Sequence, residues 1–300
     1  MRETEVIERV RAMASAGPRH RELIRGIGDD CAIFRPESGW DLVFTTDFVL
    51  EGRHFTLETH GAEDVGYKAL ARSLSDLAAM GSEPVFCLVS LAVPNKLADQ
   101  WTRRFYEGLL TLASAYQVML AGGDLARFDH VIADVICCGR VPENQALTRD
   151  RAKAGDRIFV TGTLGESAAG LRTGQGKAWK RHLRPSPRVE AGQALRNMGV
   201  VAAMDLSDGL ALDLRRMCDE SNVSAELMDS LPIARGATLE DALYGGEDYE
   251  LLFAASEQMK LPRAIANVPI TEIGTFAYRT DVPVSFRGEP LEAAGFDHFA

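Results

Sequence analysis

Apolar residues recur along this chain in two rhythms. In some segments they return every three or four positions, as on one face of a helix; in others they run together or alternate, as in strands. Val6, Ile7, Val10 and Met13 predict a short N-terminal helix. Val65, Ala69, Leu70, Leu74, Leu77 and Ala78 predict a helix over about 64–80, ended by Gly81 and Pro84. Trp101, Phe105, Leu109 and Leu112 predict a third. Strands are expected at 41–46, 85–93, 118–121 and 131–141. A polar stretch over 142–155 reads as a boundary, after which the pattern restarts. A strand at 158–161 precedes a small-residue helix at 165–171. The polar, basic stretch 173–187 is expected to be a mobile loop. A helix at 189–198, a strand at 200–204, a helix running from 209 toward Cys218, and strands at 249–254 and 270–276 follow. Strands alternating with helices in both halves predict α/β (α+β) layers in two domains, 1–142 and 143–300.

Composition narrows the function. The 300 residues are 46% apolar and 25% charged, an ordinary globular balance. Acidic residues number 43 against 33 basic ones, a net charge of −10 that argues against nucleic acid or an anionic membrane as partner. Cys31, Cys87, Cys137, Cys138 and Cys218 include no C-x-x-C pair and read as reduced, buried thiols. The charged opening, Met1 to Glu5, leads into no apolar run, and the uncharged stretch 108–123 is too short and polar for a bilayer. The expectation is a soluble, cytoplasmic protein.

The acidic residues are placed in a shared setting. Gly28-Asp29-Asp30, Thr46-Asp47, Gly123-Asp124, Asp205-Leu206-Ser207-Asp208 and Gly245-Gly246-Glu247-Asp248 each follow an apolar run, beside Gly or a hydroxyl residue and without an adjacent Lys or Arg. Any one of them reads equally well as a turn or a helix cap. Five at the expected ends of strands, where α/β folds bind ligands, predict a common site for an anionic ligand and hard divalent cations, Mg²⁺ or Mn²⁺. Asp64, Lys68, Arg72 and Asp76 form a stripe on one helix, expected as a solvated charge ladder except at Asp76, whose apolar surroundings call for a partner. The chain holds no Walker loop, no G-x-G-x-x-G, no protein-kinase catalytic loop and no zinc or nucleophile-elbow signature.

Taken together these motifs resemble the thiamine-monophosphate kinase family, of the aminoimidazole-ribonucleotide synthetase-like superfamily. The resemblance is carried by residues 26–32, Thr45-Thr46-Asp47, Gly52-Arg53-His54-Phe55, residues 75–81, Gly122-Gly123-Asp124, Leu147-Thr148-Arg149, residues 160–163, 181–188, 205–209 and 245–251, and the terminal 295–299. It runs nearly the full length, in order. It implies a homodimer in which N-terminal sheets pair into a barrel, a C-terminal α/β sandwich, and transfer of the ATP γ-phosphoryl group to thiamine monophosphate. Asp30, Thr45, Thr46, Asp47, Asp76, Asp124, Asp205 and Asp208 would then hold several Mg²⁺ ions. Tyr106, Gly123, Asp124, Arg149 and Ser207 would hold ATP, and His54, Glu247 and Phe296 the thiamine phosphate. A monovalent cation is a further implied cofactor. No general base and no covalent nucleophile are expected, because the accepting phosphate is already ionised near neutral pH. Two rivals stand beside this reading: another synthetase of the superfamily, and a non-enzymatic Mg²⁺- or nucleotide-binding module.

Overall fold

The computed structural model describes residues 3–25, 27 and 32–296. It divides the chain into two units, one of Met1–Leu77 and Ser82–Asn144, the other of Ala78–Gly81 and Gln145–Ala300. Asp30, Cys31 and the last residues of the C-terminal motif, 297–299, lie outside the described residues.

The first unit begins with α1 (Glu3–Ser15) and a ribbon of β1 (Leu23–Arg25) and β2 (Ile33–Phe34). Then come β3 (Trp40–Leu50), α2 (Ala62–Ala79), β4 (Glu83–Val93), α3 (Gln100–Ala115), β5 (Met119–Arg127) and β6 (Ile132–Pro142). Four strands form one sheet in the order β3-β6-β4-β5, antiparallel except for the parallel pair β4–β5. Side chains alternate across a strand, so one face of this sheet carries Val49, Val89 and Val135, all fully buried, and the core is completed by Leu70, Leu74, Phe105, Leu109 and Leu112 of the two long helices. The other face is open. The β1–β2 ribbon covers part of it, with Phe34 5.2 Å from Phe86, while Phe44 and Phe48 are 61% and 57% exposed.

The second unit contains β7 (Arg157–Thr161), α4 (Glu166–Thr173), α5 (Gly176–Leu183), α6 (Val189–Asn197), β8 (Ala202–Asp205) and α7 (Leu210–Ser221). β9 (Val223–Leu227), α8 (Leu239–Tyr244), β10 (Leu251–Ala255), β11 (Ala264–Ile265), β12 (Val268–Tyr278), β13 (Val284–Phe286) and β14 (Glu289–Pro290) follow. The strands make one mixed sheet, β14-β13-β9-β12-β7-β10-β8, with β11 paired to β12. Its core joins Ile158, Val160, Leu252 and Ile273 of the strands to Leu210, Leu214 and Met217 of α7.

Three expectations are corrected. The stretch 173–187 is no loop: α5 occupies Gly176–Leu183, because Lys177, Ala178, Trp179 and Lys180 favour helix and the polar composition had hidden it. Thr45-Thr46-Asp47 does not end its strand, since Phe48, Val49 and Leu50 continue it, and Asp124 likewise lies inside β5. The charge stripe on α2 is not a solvated ladder: Lys68 is fully buried and donates to the His54 carbonyl at 3.4 Å. The described cysteines Cys87, Cys137, Cys138 and Cys218 are buried free thiols. Burial pushes the Cys138 and Cys218 thiols up to about 12. Among the described residues no helix is long and apolar enough to cross a membrane.

Candidate active site

In the first unit the acidic residues divide between the two faces of the sheet. Thr45 and Asp47, two positions apart on β3, face α2. Thr45 donates to the Asp76 carboxylate, the partner that Asp76 required. Asp47 approaches Arg72 of the same helix through Oδ1 at 3.6 Å, while its Oδ2 is buried without a hydrogen-bond partner. Thr46 points the opposite way and donates to Asp134 at 2.5 Å. Pairing lines up Phe48, Asp134, Ser90 and Asp124 in one row across the open face, whereas Asp47 shares its row with Val135, Val89 and Gly123. Asp47 and Asp124 therefore belong to different faces and to opposite edge strands, three strand spacings or roughly 14 Å apart. Gly123 and Asp124 are exposed.

His54 sits in the turn after β3, only 8% exposed. The Leu50 N–H donates to its Nδ1 at 3.0 Å, which places the neutral ring's proton on Nε2. Tyr106 is a core residue of α3, 3% exposed and edge-on to Phe105 at 5.4 Å. Burial, then Cys87 and Asp124, push its hydroxyl well above the ordinary range.

In the second unit the expected residues converge. Asp205 ends β8, buried, and the turn at 206–209 leads into α7. One oxygen of Asp213 accepts the Ser207, Asp208 and Gly209 N–H groups at 3.0, 2.9 and 3.2 Å, so a single buried carboxylate shapes the turn. Burial pushes Asp213 up to about 6 against the pull of those donors and of Arg216. Asp208 Oδ2 accepts from Arg216 at 2.5 Å. The Glu247 N–H donates to the Ser207 carbonyl at 2.8 Å, and the Phe296 N–H to the Asp208 carbonyl at 3.0 Å. Gly246 permits this approach, since a β-carbon there would fall 2.5 Å from the Ser207 carbonyl oxygen. Glu247 has φ 64°, a left-handed conformation costly for a non-glycine residue, of the kind that clusters at functional sites. Further along the chain, Glu250 accepts from Thr161 at 2.6 Å, Arg181 at 3.1 Å and the Nε and Nη2 of Arg188. Arg149 is exposed, its carbonyl accepting from Ser221 at 2.7 Å.

Asp134, Asp213, Glu250 and His182 escaped sequence reasoning. Asp213 had a signal, four residues beyond Gly209 in the first turn of the helix that the acidic motif opens; Asp134 is one polar residue in an apolar strand and had none. Among the described residues no three His, Cys, Asp or Glu side chains gather closely enough to cage a metal.

The matches to known families define the class. Residues 28–141 match AIR synthase related protein, N-terminal domain, and residues 153–276 match AIR synthase related protein, C-terminal domain. The thiamine-monophosphate kinase of Bacillus subtilis (strain 168) is 37% identical over 308 residues, covering 93% of this chain and 95% of that protein. That of Escherichia coli (strain K12) is 39% identical over 302 residues, 92% of each. The crystal structure of thiamine-monophosphate kinase from Stenotrophomonas maltophilia K279a is similar over 97% of this chain and 98% of that one, at 37% identity and TM-score 0.84. AaThiL complexed with AMPPCP and TMP is similar over 100% of this chain and 99% of that one, at 30% identity and TM-score 0.80. This chain belongs to the thiamine-monophosphate kinase family.

Proposed function

We propose that this chain transfers the γ-phosphoryl group of ATP to the phosphate of thiamine monophosphate, the last step in making thiamine diphosphate, by direct in-line displacement. As a member of its family it is a kinase. The observation that carries the reading is the second unit's convergence: Glu247 tied to Ser207, and Phe296 tied to Asp208, at 2.8 and 3.0 Å. An acceptor-binding pair is thereby joined through main chain to the turn that would hold the nucleotide. Relatives at 37–39% identity over more than nine tenths of the chain support it, as does AaThiL, which binds AMPPCP and TMP.

Mg²⁺ fits the residues present. A buried carboxylate oxygen without a donor is costly, and Asp47 Oδ2 is such an oxygen. Asp47, Thr45 and Asp76 would hold one ion on the helix-facing side of β3; Asp205 and Asp208 would hold another in the second unit, and Asp30, Thr46 and Asp124 complete the assignment. Bound Mg²⁺ neutralises and aligns the phosphates. The chain's own groups do the rest. Arg149 offers a fork of donors to phosphate oxygens. Ser207 and Gly123 bring hydroxyl and main chain to ATP, and Tyr106 backs that site from the core. His54 donates from Nε2 to the accepting phosphate. Glu247 accepts from the aminopyrimidine, and Phe296 stacks on the cationic thiazolium. The acceptor oxygen is ionised near neutral pH, so neither a general base nor a phosphoenzyme is required.

A homodimer is part of this reading. Two such sheets closing on each other bring the β5 edge of one chain beside the β3 edge of its partner and cover Phe44 and Phe48. We assign metal, ATP and dimer contacts to 1–142 and completion of both substrate sites to 143–300. A monovalent cation would be a further cofactor, and the enzyme works in the cytoplasm, where its thiols stay reduced. The test is turnover: the purified chain with ATP, Mg²⁺ and thiamine monophosphate should yield thiamine diphosphate and stop on chelation. Failure to form product would overturn the reading.

A further inference from the structure

Helix α5 carries a contact that reaches Glu247 from outside the acidic turn. The Trp179 indole stacks on the His182 imidazole, centroids 5.1 Å apart and planes at 18°. His182 is 3% exposed. Its Nδ1 lies 2.9 Å from Ser167 Oγ and 3.4 Å from Glu247 Oε2. With its proton on Nδ1, the ring donates to the Ser167 oxygen and faces the Glu247 carboxylate with the same N–H. The other carboxylate oxygen of Glu247, Oε1, takes the hydroxyl of buried Tyr249 at 3.4 Å.

The supports behind His182 are rigid. The Ser167 N–H is fixed on Asp248 Oδ1 at 3.2 Å. α5 lies close on α4 at Gly170, where a β-carbon would fall 2.3 Å from the Ala178 carbonyl oxygen. A buried residue thus stands 3.4 Å from each Glu247 oxygen, and the backbone beneath is held at φ 64°. Glutamate has three side-chain torsions, and fixing them on ligand binding costs entropy. Donors 3.4 Å away lie at the long end of hydrogen bonding; they aim the carboxylate while leaving it able to accept from a ligand.

We propose that His182, backed by Trp179 and Ser167 and assisted by Tyr249, is a positioning residue that aims the Glu247 carboxylate at the acceptor's heterocycle and so sets the affinity for thiamine monophosphate. The proposal rests on Glu247 contacting that acceptor, as proposed above. It gives α5 a task in substrate choice.

The experiment uses the full chain and five variants: His182→Ala, His182→Gln, Tyr249→Phe, Glu247→Gln and the double variant His182→Ala with Glu247→Gln. KM for thiamine monophosphate, KM for ATP, kcat and melting temperature are measured for each. His182→Ala should raise the thiamine monophosphate KM about tenfold, the scale of one hydrogen bond to a charged group, with the ATP KM unchanged. His182→Gln, whose amide N–H reaches the same carboxylate, should recover most of that loss. In a double-mutant cycle, His182→Ala should add little once Glu247 is Gln. Equal rises in both KM values, additive losses, or an unchanged thiamine monophosphate KM would each overturn the proposal. If His182→Ala does not fold, Tyr249→Phe carries the test: a selective rise in the thiamine monophosphate KM supports it, and no rise overturns it. Wild-type protein that fails to turn over thiamine monophosphate refutes the kinase reading itself; active wild type with unaffected variants refutes only this positioning.

Discussion

Asp47 meets Arg72 through one carboxylate oxygen at 3.6 Å and keeps the other buried with no hydrogen-bond partner. An anionic oxygen in that state is half-compensated, which is the condition a hard cation relieves. Asp47→Asn keeps the volume, removes the charge and leaves Arg72 with a weaker neighbour. The expected result is a loss of at least about 100-fold in kcat/KM at saturating Mg²⁺. The melting temperature should stay within a few degrees of wild type, since no hydrogen bond of Oδ2 is lost. Activity within a factor of two of wild type would remove Asp47 from the metal site.

Phe296 is 38% exposed, and its N–H is held by the Asp208 carbonyl. The main chain is thus fixed beside the acidic turn while part of the ring stays open to a ligand. Phe296→Ala should weaken thiamine monophosphate binding about tenfold through lost stacking, with little effect on ATP affinity or on melting. Calorimetric titration of each ligand separates the two. A drop in melting temperature with equal loss of both ligands would make Phe296 a packing residue.

How much of this was legible in the sequence follows from what each signal measures. The α2 period was readable because Leu70, Leu74 and Leu77 are fully buried on one face. The same pattern misjudged Lys68, because a buried lysine bonded to the His54 carbonyl looks in sequence like any charged residue. The end of β3 was misplaced because Thr45-Thr46-Asp47 is polar on both faces, one turned to α2 and one to the open side; a run of polar residues inside a strand mimics a turn. α5 was missed because the helix is short and basic, with a single buried residue, His182. The acidic motifs were found by composition and neighbours, but their division between the faces of the sheet required strand register, which pattern alone does not supply.

Phe44 and Phe48 are exposed on the same face of β3, an edge strand. In the homodimer proposed above, a second copy would cover these two aromatics. Phe44→Glu with Phe48→Glu should shift the protein from dimer to monomer in light scattering coupled to gel filtration. If Asp124 serves the partner's β3 edge, the monomer should also lose turnover at least about tenfold while keeping its helical circular dichroism. A wild-type monomer, or a double variant still dimeric, would remove this face as the interface.

Asp248 gives the fold a pH dependence whose sign can be worked out. Its carboxylate accepts the Gly165 N–H at 2.6 Å and the Ser167 N–H at 3.2 Å. Burial nonetheless pushes it from the ordinary 3.8 up to about 7; Glu250 adds to the rise, and the two N–H donors and Arg181 oppose it. The folded state thus holds a proton that the unfolded chain has released between those two values. Stability from this group is complete below about pH 4 and is lost as pH rises through about 7, with a slope of up to about 1.4 kcal/mol per pH unit. Asp248→Asn cannot titrate. It turns an N–H toward one of the two donors, so the variant should be less stable than wild type at pH 5. Its denaturant midpoint should then fall less steeply than wild type between pH 5 and pH 8. Parallel curves for the two proteins across that range would show that Asp248 is ionised in the folded state throughout.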